Sequence, residues 1–370
     1  MPASPYYTPE HETYREQVRR FVEREIAPHV NQWDEAGEVP RELYTKAAQA
    51  GVLGLGYPEE YGGTPIPDSF YKTVMMEELA RAGSGGVVAA LGSLGIGLPP
   101  ILAAGTPEQK QRFAPPVLSG EKICALAITE PSGGSDVANL KTSAKRDGEH
   151  YVVNGSKTFI TSGMRADVLT VPVRTGEAGM AGISLLVIEG DTPGLSRTPL
   201  KKMGWWASDT ATLYFKDCRV PVANRLGPEN AGFIAIMKNF NGERLGLSAQ
   251  AWAFGKVCLE ESTAYARERV TFGRPMIKSQ VIRHKLVDMA MRLNGVKAYL
   301  DELTWRCDQG EMPIAELCML KNLATTTLEF VANEAMQIFG GAGYMRDTKV
   351  ERIYRETKVL TIGGGSLEIM

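Results

Sequence analysis

Residues Gln337–Met370, QIFGGAGYMRDTKVERIYRETKVLTIGGGSLEIM, close the chain with two glycine runs on either side of a charged segment. The stretch opens as an apolar, helix-like run that breaks at Gly340, Gly341 and Gly343. Glycines so closely spaced let the backbone approach a ligand with no Cβ in the way. A helix-compatible segment follows from Asp347 to Lys358, and a second run, Gly363-Gly364-Gly365, precedes Ser366. Ser366 with Glu368 two residues on reads as the start of a further helix. A helix start behind bare N–H groups can hold an anion or a cofactor. The plainer reading is two glycine turns flanking a surface helix.

Upstream of this stretch the chain is helical in texture. Ile282, Leu286, Met289, Leu293, Val296, Leu300 and Leu303 alternate four and three apart, the stripe of a helix bundle. Gly246 to Arg267 and Ile314 to Phe339 are also helix-compatible, so residues 229–370 are expected to form a helical bundle domain. Before it, from 123 to 228, short β-rich runs alternate with turn pairs: KTSAKRDGEHYVVNG, VLTVPVR, ISLLVIE and TATLYFKDCRVP. Asp147-Gly148 marks a hairpin, and the spacing of the runs predicts a compact β-barrel or sandwich. Residues 1–122 read as a first helical domain. Val18, Val22, Ile26, Val30 and Trp33 share one helical face, and Ser69 is placed to cap the helix that follows it. The fold class is therefore α+β, mostly α, in the order α, β, α.

Composition narrows the function. The 370 residues suffice for two or three domains, and 44% hydrophobic with 23% charged residues is ordinary for a soluble globular protein. A net charge of −2 offers no basic footprint for nucleic acid. Cys124, Cys218, Cys258, Cys307 and Cys318 show no paired spacing and are read as reduced thiols of a cytoplasmic or matrix-like compartment. The four histidines lie far apart, so no metal site is expected. No secretory leader is read at the start. The uncharged stretch from Ala82 to Pro107 is rich in glycine and broken by Pro99-Pro100, and is read as buried helices without membrane insertion. No GxGxxG follows a strand, and there is no Walker A motif and no GxSxG.

Four further stretches carry candidate chemistry. LAITEPSGGSD, Leu126 to Asp136, ends a strand in a polar glycine turn whose hydroxyls and N–H groups can bond a polar ring edge or a carbonyl. KTFIT, Lys157 to Thr161, reads as an ordinary strand. RERVTFGRP, Arg267 to Pro275, with Gln280 beyond, is a helix end and turn, and charges there favour the helix dipole. NFNGERL, Asn239 to Leu245, is read as the start of a bundle helix, where an acid is stabilised by the N-terminus.

Taken together, QIFGGAGY…VERIYRETK…GGGSLEI, TEPSGGSD, KTFIT and ERVTFGRP…Q, with weaker matches in PEEYGG and TPEQKQRF…LSGEK, resemble the acyl-CoA dehydrogenase family over essentially the whole chain. Family chains usually run a little beyond this end. The resemblance implies an N-terminal helical domain, a middle β domain and a C-terminal four-helix bundle that bind FAD. It implies flavin contacts at Leu126, Ile128, Thr129 and Ser135, with Ser135 also touching the thioester arm of the substrate. It implies a flavin wall at Phe159, Ile160 and Thr161, and a pyrophosphate contact at Arg269, a fit to guanidinium geometry. Thr271, Phe272, Gln280, Gln337, Ile338, Gly340 and Gly341 are implied to serve the same cofactor across a subunit interface, with Ser366 and Glu368 beside it. Asn241, Arg244, Gly364 and Gly365 are implied to meet the substrate.

One departure concerns the base. Many members place the catalytic glutamate where this chain has Gly364. Long-chain and isovaleryl-type members instead have a glutamate at the place of Glu243 and a small residue at the place of Gly364, and this chain shows that inverted pair. The resemblance thus implies that Glu243 takes the α-proton of an acyl-CoA thioester while FAD accepts the β-hydride, giving a trans-2-enoyl-CoA. It further implies a homo-oligomer, commonly a tetramer, and an electron-transferring flavoprotein as acceptor. A same-fold flavin oxidase or monooxygenase, and a non-catalytic acyl-CoA or FAD-binding scaffold, are the alternatives.

Overall fold

The computed structural model describes residues 5–370, with the side chains of residues 238–241 outside the description. The chain begins with helices α1 (Pro9–Phe21), α2 (Val30–Ala36), α3 (Glu42–Gln49), α4 (Phe70–Ala80), α5 (Gly85–Gly92), α6 (Leu94–Gly97), α7 (Pro99–Ala104) and α8 (Pro107–Leu118). The Val18–Trp33 stripe is buried as expected, but it runs through α1, a π-turn at Val22–Ile26 and α2, not one straight helix. Ser69 precedes α4 without a side-chain cap bond, because its own backbone is already helical. The uncharged stretch folds into α5, α6 and α7, and Val87, Leu91, Leu98 and Ile101 join the main core. Gly85–Ala104 is long and apolar enough to cross a membrane by length and composition, with 56% of it buried inside the protein.

Eight strands follow: β1 (Cys124–Leu126), β2 (Ser143–Asp147), β3 (His150–Thr161), β4 (Val168–Arg174), β5 (Ile183–Glu189), β6 (Leu195–Pro199), β7 (Thr210–Pro221) and β8 (Arg225–Leu226). They form one mixed sheet, ordered β6-β7-β3-β2-β4-β5-β8 with β1 paired to β4. Strands β2 and β4 meet at a single residue pair, Ser143 with Arg174, so the sheet folds on itself into the compact barrel- or sandwich-like domain that was expected. It bends over a core of its own that includes Tyr151, Val153, Leu169, Val171, Leu186, Ile188, Leu213 and Phe215. The hairpin turn lies one residue later than read. Asp147 pairs with His150, and the two-residue loop is Gly148-Glu149, with Gly148 at φ +58 as a primed turn requires.

The C-terminal third is α9 (Gly232–Glu268), the short hairpin β9 (Val270–Thr271) and β10 (Arg274–Pro275), α10 (Gln280–Asp308), α11 (Ile314–Phe339) and α12 (Lys349–Ile362). The stripe of α10 is buried from Leu286 to Leu303 against α9 and α11. The first and last thirds share one hydrophobic core, in which Val18 and Leu43 belong with Leu293, Leu328 and Leu360. Ser366 starts no helix. The last residues form a single turn in which Ile369 and Met370 both donate to the Ser366 carbonyl at 3.0 Å.

Candidate active site

Glu243 is the twelfth residue of α9, counting from Gly232, not a residue at its start. The helix N-terminus therefore does nothing for its charge. Gly232 begins the helix because its missing Cβ allows close approach to β5: a Cβ there would fall 2.8 Å from the Ser184 carbonyl carbon. Glu243 is half-buried, and desolvation pushes its carboxyl up to about 7 from an ordinary 4.5, against the opposing pull of Arg244 and Lys321. A carboxylate poised near neutrality suits a general base.

Gly364 faces this carboxyl. A Cβ built on it would lie 3.7 Å from Glu243 Oε1 and 2.5 Å from Leu247 Cδ1. Gly364 and Gly365 have φ of +66 and +106, so the turn is glycine-specific as well as tight. Neither residue gives its N–H to a protein acceptor among the described residues. Helix α11 fastens this turn from beneath. Lys321 Nζ donates to the Gly365 carbonyl, and Asn322 Nδ2 donates to the Leu367 carbonyl at 3.0 Å. Glu368 points away, fully exposed, and hydrogen bonds from its own N–H and from the Ser366 hydroxyl hold its carboxyl below the usual range.

The second group lies on the sheet. Thr158 N–H donates to the Thr129 carbonyl at 2.8 Å, which ties the turn after β1 to β3. Beneath it sits a buried ion pair, Lys157 Nζ to Glu130 Oε1 at 2.8 Å. Lys157 also donates to the Ile128 carbonyl at 3.0 Å, and Glu130 accepts the N–H groups of Lys141 and Thr142 at 2.6 and 2.9 Å. Burial raises the Glu130 carboxyl, but Lys157 and the two amides outweigh it and leave it below the ordinary range. Burial lowers the Lys157 ammonium to about 8 against the pull of Glu130. The pair is thus charged at neutral pH and hydrogen-bonded on both sides, which favours a fixed local geometry.

A break in the β3–β7 register between Lys157 and Ile160 turns Phe159 outward at φ +59, with 68% of its surface exposed. For a bulky residue that conformation costs about 1–2 kcal/mol, and such outliers persist at ligand sites. Ser135 is exposed, Thr129 and Thr161 are half-buried, and Leu126 and Ile128 are nearly covered. Ile160 lies in the sheet core, so only its backbone is presented outward.

The third group is an arm. Arg269 ends α9 and is exposed, with no ion-pair partner among the described residues. Phe272 and Gly273 form the two-residue tip of the β9–β10 hairpin, at φ +51 and +75. Phe272 is wholly exposed there. Thr271 flanks the tip, and Gln280 is the exposed first residue of α10. Tyr265 stacks on Phe339 at 4.3 Å, holding the arm's root beside the Gly340–Gly341 turn. Gln337 is exposed, Gly340 and Gly341 border open space, and Ile338 is turned into the core by the helix period.

The structure brings Glu243, Arg244, Gly364, Gly365 and Ser366 together, and Thr129 with Thr158 and its neighbour Phe159. Among the described residues no hydrogen bond, ion pair or ring contact joins the sheet group to the arm. The side chain of Asn241, expected to touch substrate, lies outside the described residues. Two exposed aromatic rings on strained backbone, an unpaired guanidinium and bare glycine turns fit a planar, phosphate-bearing group such as FAD. Sequence reading passed over Lys321 and the Lys157–Glu130 pair. Lys321 left a signal: it sits four residues after Leu317 and three before Ala324, on the apolar stripe of α11, where a solvated lysine does not belong.

Three family models match the chain: acyl-CoA dehydrogenase N-terminal domain over residues 8–121, middle domain over 125–218 and C-terminal domain over 230–370. The chain is 48% identical to a solved putative acyl-CoA dehydrogenase from Mycobacterium smegmatis, with 99% of this chain and 97% of that one covered at a TM-score of 0.96. It is 35% identical to the mitochondrial long-chain specific acyl-CoA dehydrogenase of Sus scrofa, over 98% of this chain and 85% of the relative. The solved butyryl-CoA dehydrogenase of Megasphaera elsdenii is 32% identical, over 99% and 97% of the two chains, at a TM-score of 0.93.

Proposed function

The chain belongs to the acyl-CoA dehydrogenase family, and from that membership we propose that it oxidises a medium- to long-chain acyl-CoA to the trans-2-enoyl-CoA, with Glu243 as the base. Family homologues are FAD-binding flavoproteins. When bound, FAD supplies the acceptor for the β-hydride. The residues of this chain do the rest. Glu243 accepts the α-proton at its carboxylate. The free N–H groups of Gly364 and Gly365 are available to the thioester oxygen as it gains negative charge. Closure of the acyl chain over the half-buried carboxyl expels water and keeps the proton affinity of Glu243 near neutrality.

The observation that carries this reading is the mutual facing of Glu243 and Gly364. A side chain at position 364 would enter the space beside the Glu243 carboxyl, so the two positions address the same substrate atom. Gly92 and Gly95 on the N-terminal helices and Gly246 beyond Glu243 each border open space, which supports an extended acyl chain.

The arm needs a second copy of this chain to meet a sheet-bound flavin, and exposed Val281, Val287, Met291, Ile314, Met319 and Leu323 on α10 and α11 supply an apolar face for one. A homo-oligomer, with a tetramer as the form the resemblance implies, therefore belongs to the proposal. So does an electron-transferring flavoprotein as acceptor. The five free cysteines support a reducing compartment. The test is anaerobic stopped-flow bleaching of the flavin by acyl-CoAs of graded length. Glu243→Gln should bind FAD and acyl-CoA but lose at least about a hundredfold in the bleaching rate. Reduction at the parental rate would place the base elsewhere.

A further inference from the structure

Lys321 is wholly buried on α11, and two of its relations are unusual. Its ammonium donates to the carbonyl of Gly365, the residue after the one that faces the base. It is also the only charge from another helix, among the described residues, that acts on Glu243. Burying an ammonium is costly unless it is paired and hydrogen-bonded. A lysine that served only to tie down one carbonyl could be replaced by a neutral donor at lower desolvation cost. Its charge calls for a purpose.

We propose, on the premise that Glu243 is the base, that Lys321 is its positioning residue. It holds the Gly363–Gly365 turn against the carboxyl and supplies the cation that keeps the carboxyl ionised enough to work at neutral pH. Two opposing influences meet at Glu243. Desolvation raises its proton affinity, and Arg244 and Lys321 lower it. Arg244 is the next residue of α9. The Gly363–Gly365 turn carries no ionisable side chain, and Glu368 beyond it is exposed with Lys358 as its nearby charge. On α11 itself, Cys318 acts on Lys321, one turn away. Burial lowers the proton affinity of Lys321, and Glu243 opposes that, so each group favours the charged form of the other. The neighbouring Asn322 supplies a second, uncharged tether to the same loop through the Leu367 carbonyl. This pairing of a charged and a neutral clamp lets position and charge be separated by mutation.

The experiment compares Lys321→Gln, Lys321→Arg, Asn322→Ala and Glu243→Gln with the parent as flavin-loaded proteins. One readout is the pH profile of anaerobic flavin reduction. The other is infrared titration of the protonated-carboxyl stretch that vanishes in Glu243→Gln, measured without substrate. Loss of a nearby cation moves a carboxyl by about one pH unit or more. Lys321→Gln, which retains a donor for the Gly365 carbonyl, should shift both midpoints upward by that amount. Its rate should fall about fivefold at pH 7 and recover at higher pH. Lys321→Arg should keep the parental midpoints, and Asn322→Ala should weaken substrate binding without moving them. Lys321→Met, apolar and similar in length, repeats the test should the glutamine variant not fold. A uniform loss of rate at unchanged midpoints in both neutral variants overturns the proposal and leaves Glu243 as base. Parental flavin reduction in Glu243→Gln overturns the base assignment and the proposal with it.

Discussion

Glu243→Gln should make the protein more stable at neutral pH while it disables the chemistry. The folded protein raises this carboxyl from an ordinary 4.5 to about 7, chiefly by desolvation. A raised acid binds more protons folded than unfolded between those two values, so its contribution to stability falls as pH rises through that window. Each pH unit of the window costs about 1.36 kcal/mol. The penalty is under about 1 kcal/mol at pH 5 and levels off at about 3 kcal/mol at pH 8. Glutamine matches the neutral acid in size and escapes the penalty. Urea unfolding of the two flavin-saturated proteins at equal concentration should therefore give similar midpoints at pH 5. At pH 8 the variant should lead by about 3 kcal/mol. A difference that does not grow between pH 5 and pH 8, or one that favours the parent at pH 8, would refute the argument that burial sets the proton affinity of this base.

Other outcomes follow from the same geometry. The parental rate of flavin reduction per free enzyme should rise with pH through about 7, the value to which Glu243 is raised, and then level off; a flat profile from pH 5 to 9 would contradict the base assignment. Gly364→Glu in the Glu243→Gln background should recover part of the lost rate, because position 364 faces the same space. The gain stays partial, since φ +66 disfavours a side chain and Leu247 must move; no gain at all would show that the two positions address different atoms. Arg269→Ala should lower flavin content on dilution, as a pyrophosphate loses a bidentate partner, and unchanged retention would detach this residue from the cofactor. Light scattering should show an oligomer whose dissociation releases FAD, and a fully flavinated monomer would sink the shared site.

Local chemistry determines much of this protein's architecture. The stripe from Ile282 to Leu303 sets a long buried helix because its period matches one face. Alternating β-rich runs with turn pairs set a sheet, and the glycine runs at Gly340 and Gly363 set bare turns. The family resemblance pointed to Glu243 and Gly364 together, since each belongs to a motif readable along the chain, and the structure sets the two positions face to face. What the sequence could not show are relations that depend on where helices and strands come to lie. Glu243 was expected at a helix start, but α9 reaches back to Gly232, because that glycine seats against β5, far away in sequence. The outward turn of Phe159 comes from a bulge fixed by pairing with β7, which no local rule announces. Lys321 acquires its meaning only when α11 packs beneath the terminal loop and its ammonium meets a carbonyl some forty residues further on. The proton affinity of Glu243 belongs to the same class. Desolvation and distant charge arise from the packing of many elements, so this carboxyl is raised towards neutrality only in the assembled tertiary structure.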